Sequence, residues 1–218
     1  MTLKSIETEY IELRQNLAEM SNGIIKMIFG SVEALTNCDT EKAEKIILLD
    51  NDIDKLDIKI DEICTKIIAL YEPKASDLRY IITALRIIVD LERVGDHCKK
   101  ICKQSIKLSN MPKTNEYNDI PNMANIAANM IKDSINAYFS KDENLAKNVI
   151  LKDDEIDLLQ KKITNDLILS INNDTTYTKQ IIKLINILRR IERIADHAKN
   201  IAELVSFMVT GQILRHKK

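Results

Sequence analysis

The stretch DLERVGDH at residues 90–97 returns as RIERIADH at residues 190–197. Both copies place a glutamate four residues before an aspartate, a spacing that sets the two carboxylates on one face of a helix. The similarity extends well beyond the octets. Residues 34–60 match residues 137–163 at an offset of 103, and residues 91–101 match residues 191–201 at an offset of 100. The offset changes by three in the connection between two helices, where short insertions are tolerated.

Apolar residues recur in alternating steps of three and four through both copies. This pattern is typical of helices that pack against other helices in a bundle. It predicts six helices, centred on the apolar residues within 3–34, 46–67, 81–102, 123–137, 146–163 and 184–205. Residues 109–122 contain two of the three prolines and form the linker between the copies. The sequence therefore predicts an all-α fold of two tandem three-helix bundles, residues 1–110 and residues 111–218, related by an internal repeat.

Polar residues next to these segments predict where individual helices begin. Asp39 or Thr40 is placed to cap the second helix, and Ser76 to cap the third. Ser140 and Glu143 have the spacing of a capping box for the fifth helix. Pro73 is expected to end the second helix, because proline cannot continue it.

Composition excludes several classes of protein. The net charge of -1 argues against nucleic acid as a partner, since that function needs a concentrated basic surface. No apolar run approaches the roughly 18 residues of a membrane helix, and the acidic start of the chain does not resemble a signal peptide. We therefore expect a cytoplasmic protein without membrane insertion. The four cysteines lack CxxC spacing and are expected to be small buried hydrophobic residues.

Each half contains two acid pairs at i, i+4 spacing. The pairs are Asp50 with Asp54 and Glu92 with Asp96 in the first half, and Asp153 with Asp157 and Glu192 with Asp196 in the second half. Asp54 precedes Pro73 by about 19 residues and Glu92 follows it by about 19, so an antiparallel hairpin brings them to one level. The second half has the same register about residues 174–175. The sequence therefore predicts four acids in one partly exposed groove in each half.

Such a groove favours a bound metal ion. Like charges at i, i+4 destabilise a helix by about 0.2–0.5 kcal/mol per pair, and a cation removes this penalty. An all-oxygen ligand set suits a hard or borderline ion, and iron, manganese, magnesium, calcium and zinc all remain open. The alternative is a solvated face laced by ion pairs, with Lys55, Arg93, Lys99 and Lys100 as the partners of the acids.

The two histidines of the repeat are weaker ligand candidates. His97 and His197 each lie five residues after the glutamate, which turns them away from the acids and toward the outer face. We expect surface or inter-helix histidines. The chain also lacks a nucleophile triad, a glycine-rich phosphate loop and the Glu-x-x-His spacing of di-iron proteins, which argues against an enzyme.

Two segments resemble the signature segments of the PhoU family of phosphate transport system regulators. They are SDLRYIITALRIIVDLERVGDHCKKI at residues 76–101 and LRRIERIADHAKNIAELVSFMVTGQILRH at residues 188–216. The resemblance covers nearly the whole chain. It departs from the family pattern at Ala195, where glycine is usual, and at Arg190, where the first copy has Asp90. The methyl group of Ala195 is expected to widen the helix spacing, so the resemblance favours the first site over the second.

The resemblance implies a cytoplasmic, often dimeric, non-enzymatic regulator that represses the phosphate-starvation response when phosphate is plentiful. It implies two partners, the ATPase subunit of a phosphate ABC transporter and a sensor histidine kinase. It also implies multinuclear metal clusters, with iron or zinc as the metals, held by the eight acids of the paired motifs. Two alternatives from the residues themselves are a carboxylate-bridged metalloenzyme and a helical scaffold without a functional metal.

Overall fold

Six long helices make up nearly all of the computed structural model, which describes residues 5–111, 119–173 and 175–212. The helices are α1 Ile6–Thr36, α2 Thr40–Tyr71, α3 Ser76–Ser109, α4 Ile120–Ser140, α5 Glu143–Asn173 and α6 Thr178–Thr210. A single 3₁₀ turn, Thr175–Tyr177, precedes α6, and the described part of the chain contains no strand. The predicted all-α class and the six helices are confirmed.

The ends of the helices follow local chemistry, with two corrections. Asp39 caps α2 by accepting a hydrogen bond from the Lys42 amide at 2.9 Å, and α2 ends two residues before Pro73. Ser76 is wrong as a cap, because it is the first residue of α3 and the preceding Ala75 makes no side-chain cap.

The capping box predicted for α5 is also wrong. Ser140 is the last residue of α4, and its hydroxyl donates back to the Asn136 carbonyl at 2.7 Å. Asp142 takes over the cap of α5 by accepting from the amides of Asn144 at 2.8 Å and Leu145 at 3.0 Å. The chain turns between the two helices at Lys141, which adopts a left-handed conformation, so the cap moves beyond it.

Each half is a three-helix bundle, and the two bundles share one core. Within the halves, α1, α2 and α3 pack on one another, as do α4, α5 and α6. Between the halves, α3 packs along α6 and α1 along α4, which leaves α2 and α5 on opposite outer sides. The buried apolar residues form one continuous cluster across both bundles. The functional surfaces of the two halves are therefore built on a common rigid centre.

Specific contacts tie the halves together at one end of the bundle. The ring of Tyr138 on α4 stacks on Tyr80 of α3 with centroids 4.4 Å apart, and its hydroxyl donates to the Tyr80 carbonyl at 3.1 Å. Arg14 of α1 donates to the Phe139 carbonyl at 3.1 Å. Arg79 of α3 does the same for the Met208 carbonyl of α6 at 3.1 Å.

Cysteine burial follows the prediction in large part. Cys64, Cys98 and Cys102 are buried and unpaired, whereas Cys38 is half-buried in the turn before α2. None of the helices in the described part of the chain combines the length and the apolar character that crossing a bilayer requires. The predicted boundary between residues 110 and 111 follows the end of α3, and most of the linker, residues 112–118, lies outside the described residues.

Candidate metal centre

The acids of α2 and α3 face one groove in the first half. The ammonium of Lys99 lies 2.6 Å from an oxygen of Asp50 on α2 and 3.0 Å from an oxygen of Asp96 on α3. One cation can reach both carboxylates only when they point into the same space between the helices. Asp50 is buried and Asp96 half-buried, so the shared position lies at the rim of the core.

Asp54 and Glu92 complete this groove one turn further along. Asp54 is exposed and Glu92 half-buried. Burial raises the pKa of Glu92, and the negative charges of Asp96, Asp54 and Asp57 raise that pKa further against the opposing effect of Arg93. Asp54 and Asp96 therefore lie within electrostatic range of Glu92, and Lys99 joins Asp96 to Asp50.

Asp57 is an acid of this groove that the sequence comparison missed. Its half-buried carboxyl has a raised pKa, caused by burial first and then by the charges of Asp61 and Asp54. The signal in the sequence was its position three residues after Asp54, on the same helix face. The repeat concealed it, because the equivalent residue of the second half is Gln160.

The second half keeps the lysine on the buried aspartate of the outer helix but changes the partner of the aspartate on α6. Lys199 lies 2.5 Å from buried Asp153 on α5. Asp196 on α6 pairs with Arg193 at 3.2 Å, and Glu192 approaches the same guanidinium at 3.7 Å.

The pKa values of both acids of α6 are raised in this groove. Burial raises the pKa of Glu192, and Asp196, Asp157 and Asp153 raise it further. Burial also raises the pKa of Asp196, helped mainly by Asp153. Asp153 and Asp157 therefore lie within electrostatic range of both acids of α6, and Asp157 is half-buried.

Gly95 allows the close approach of the Asp50 carboxylate to α3. A β-carbon at Gly95 would lie 3.0 Å from an oxygen of Asp50, closer than such contacts usually are. The second half has Ala195 at the equivalent position, and this residue is fully buried. Gly95 is helical, so its backbone conformation does not require glycine. The Asp50 carboxylate of the neighbouring helix explains the glycine instead.

The ligand chemistry of both grooves fits a hard or borderline metal ion. Every candidate ligand is a carboxylate oxygen, and the pKa values of Glu92 and Glu192 are raised by burial first and then by the charges of neighbouring acids. In the arrangement described, no three carboxylate, imidazole or thiol groups converge as a metal site within residues 5–111, 119–173 and 175–212. The ammonium groups of Lys99 and Lys199 bind the buried aspartates instead. A metal ion would have to take the place of these lysines.

The histidines lie between the halves. The rings of His97 and His197 are 5.6 Å apart where α3 meets α6, and Nδ1 of His197 is 2.7 Å from an oxygen of Asp90. The expected outer-face orientation is wrong, because α6 covers that side of α3 and neither ring is exposed. Burial lowers the pKa of His97 to about 4, and the neighbouring His197 contributes. The inter-helix alternative is confirmed.

Comparisons with known proteins agree with the repeat. A sequence model described as the PhoU domain matches twice, at residues 17–105 and 120–205. A phosphate-specific transport system accessory protein PhoU homolog from Clostridium acetobutylicum is 34% identical over 213 residues, covering 97% of both chains. A homolog of the same description from Aquifex aeolicus is 35% identical, covering 96% of this chain and 95% of its own.

Solved structures extend this similarity to three dimensions. The crystal structure of PhoU from Pseudomonas aeruginosa superposes with a TM-score of 0.90 at 31% identity, covering 95% of this chain and all of that one. The phosphate transport system regulatory protein PhoU from Streptococcus pneumoniae gives a TM-score of 0.87 at 26% identity, covering 97% of this chain and 100% of its own. Both bundles are therefore shared with these proteins over their full lengths.

Proposed function

The chain belongs to the PhoU family, and on that premise we propose that it is a regulatory accessory protein of a phosphate-specific transport system. The observation that carries this proposal is similarity over the whole length, 97% of both chains, to a relative described as such an accessory protein. The relatives are described as accessory and regulatory proteins, which favours a non-enzymatic role over a metalloenzyme.

The finer role is that of a cytoplasmic adaptor. It links the ATPase subunit of the phosphate ABC transporter to a sensor histidine kinase and represses the phosphate-starvation response when phosphate is plentiful. We further propose a homodimer as the working unit. The fold supports an adaptor because α2 and α5 lie on opposite outer sides of a shared core, so one molecule presents two separate surfaces.

Metal ions in the two acidic grooves form the second part of the proposal. Asp50, Asp54, Glu92 and Asp96 hold metal in the first half, and Asp153, Asp157, Glu192 and Asp196 hold it in the second, with iron or zinc as the ions. The support is the oxygen ligand set and the neighbouring acids whose charges act on both glutamates. A bound ion supplies positive charge that offsets carboxylate repulsion and joins the two helices of each groove.

The lysines give metal binding a consequence at the surface. Lys99 and Lys199 currently neutralise Asp50 and Asp153. When an ion replaces them, their ammonium groups are released toward solvent beside the groove. Metal loading therefore changes the charge of the surface that a partner meets, without a rearrangement of the core.

Regulation is tested in the organism that encodes the chain. Deletion of the gene should leave phosphate-scavenging genes expressed in phosphate-rich medium, and the intact gene should restore repression. A tagged chain should also capture the transporter ATPase from cells, with a yield that differs between high and low phosphate. Normal repression in the deletion strain, together with no capture of the ATPase, would overturn the proposal.

A further inference from the structure

A groove of about 540 Å³ opens beside the acids of the second half, between α5 and α6. Three of its six lining residues are arginines. The residues are Gln160, Asn186, Arg189, Arg190, Glu192 and Arg193. The volume lies within the roughly 300–1,000 Å³ that is common for small-molecule sites. It is a concave, polar and basic surface in a chain whose overall charge is -1.

Two of the three arginines have no acidic partner in the described part of the chain. Arg193 pairs with Asp196 at 3.2 Å and approaches Glu192 at 3.7 Å. No ion pair or side-chain hydrogen bond joins Arg189 or Arg190 to a described carboxylate. Arg189 also lies four residues before Arg193 on the same helix face, where like charges repel. The groove therefore holds two guanidinium groups, those of Arg189 and Arg190, that are not paired with a carboxylate within the described residues.

The equivalent surface of the first half has the opposite charge. Its six residues, by the offsets of the repeat, are Asp57, Arg86, Val89, Asp90, Glu92 and Arg93. Three acids against two arginines give that set a formal charge of -1, whereas three arginines against one glutamate give the second set +2. The basic groove is thus a property of the second half alone and does not follow from the repeated fold.

We propose that this groove binds a dianionic phosphate group, either free phosphate or the phosphate of a small molecule such as a nucleotide. With Arg193 paired to acids, Arg189 and Arg190 supply two positive charges, which match a phosphate dianion and exceed what a single carboxylate needs. The planar guanidinium donates two parallel hydrogen bonds to such an oxyanion, and the amides of Gln160 and Asn186 add neutral donors. Arg193 shields the anion from Glu192, since its guanidinium already lies beside that carboxylate.

Binding at this groove does not rest on the adaptor role or on metal in the acidic grooves. The experiment is therefore carried out on the purified chain in the presence of a chelator. Inorganic phosphate and adenosine monophosphate are titrated separately into ¹⁵N-labelled protein, and NMR shifts are followed at an ionic strength held constant with sodium chloride. Saturable shifts of α5 and α6 amides around the groove are expected with at least one of the two ligands.

Two matched variants locate the site. Arg189→Gln/Arg190→Gln should weaken binding at least about tenfold, because charge-assisted hydrogen bonds are lost. Arg86→Gln/Arg93→Gln removes two arginines from the equivalent surface of the first half and should change affinity by less than about twofold. Thermal melting of both variants checks that they fold.

The two ligands separate the sources of the phosphate. Tighter binding of the nucleotide shows that the room beside the arginines is used, whereas binding of inorganic phosphate with equal or greater affinity shows a site for the free ion. Absence of saturable binding by both ligands overturns the proposal. Equal weakening in both variants also overturns it, because the interaction would then be general charge attraction.

Discussion

In the first half Asp96 accepts contacts from two lysines, Lys99 at 3.0 Å and Lys100 at 3.2 Å, whereas in the second half Asn200 replaces the second lysine. Asp196 pairs instead with the exposed residue Arg193, whose guanidinium also lies near Glu192. Burial raises the pKa of Asp96, but the lysine hydrogen bonds outweigh it and bring the pKa below its usual value. Burial and the charge of Asp153 bring the pKa of Asp196 above its usual value.

This difference shows that two copies of one repeat can balance charge in two ways. The first groove satisfies its acids largely with its own lysines, and the second retains more uncompensated negative charge. Binding of a metal ion is most favourable where the protein itself supplies the least positive charge. The charges therefore favour the second groove for metal, whereas the resemblance of the sequence favoured the first on the strength of Gly95.

Removing a side chain that packs between the two halves should have the largest effect on stability. Tyr138→Ala should lower the free energy of unfolding by about 3–5 kcal/mol, because the ring is fully buried and stacked on Tyr80 of the other half. Its repeat equivalent, Leu35→Ala, should cost about 2–5 kcal/mol. Urea denaturation, followed by helical signal and by probes placed in each half, should show one transition in both variants. Separate transitions for the two halves would contradict the shared core.

Loss of Lys99, which bridges Asp50 and Asp96, should have the second-largest effect on stability. Lys99→Gln should lower the free energy of unfolding of the metal-free protein by about 1–3 kcal/mol, because buried Asp50 is left without its charged partner. Lys199→Gln should cost less, since Lys199 makes an ion pair with Asp153 alone. Urea titrations in chelator measure both values. A larger loss for Lys199→Gln would reverse the comparison of the grooves.

Neutralising a single acid should have the smallest effect on stability, and the effect should have opposite signs for Asp96 and Asp196. The lowered pKa of Asp96 means that its charge stabilises the fold above the unfolded pKa, and this contribution disappears as the pH falls through the folded value. The raised pKa of Asp196 means that its charge opposes folding at neutral pH, and protonation relieves this as the pH falls.

At neutral pH, in chelator, Asp96→Asn should therefore lower the melting temperature and Asp196→Asn should raise it. Each change corresponds to at most about 1 kcal/mol, because both side chains are partly exposed and screened by solvent. Both differences should shrink when melting is repeated near pH 3. Shifts of the same sign at neutral pH would refute the assigned charge balance.

Much of the fold could be predicted from periodicity and from the repeat. The apolar steps located all six helices, and hairpin register alone placed Asp54 level with Glu92. What escaped were features that depend on contacts between helices distant in sequence. His97 could not be oriented correctly because nothing within one half reveals that α6 covers that side of α3.

Local chemistry set a second limit on prediction. Ser140 and Asp142 are both good capping residues, and the choice depended on the left-handed turn at Lys141. The bridging position of Lys99 depended on side-chain rotamers that spacing does not specify. The groove around Arg189 was not predicted, because matching the two copies of the repeat reveals only the positions that they share. This groove depends on positions at which the copies differ.

Metal content, measured half by half, tests the account most directly. Protein stripped with chelator is dialysed against zinc or iron(II), and bound metal per chain is determined by mass spectrometry for the wild type, Glu92→Gln/Asp96→Asn and Glu192→Gln/Asp196→Asn. Each variant should lose the metal of its own half, and the wild type should retain the second-half metal at lower free metal concentration. Unchanged metal content in both variants, or no bound metal in the wild type, would contradict the account.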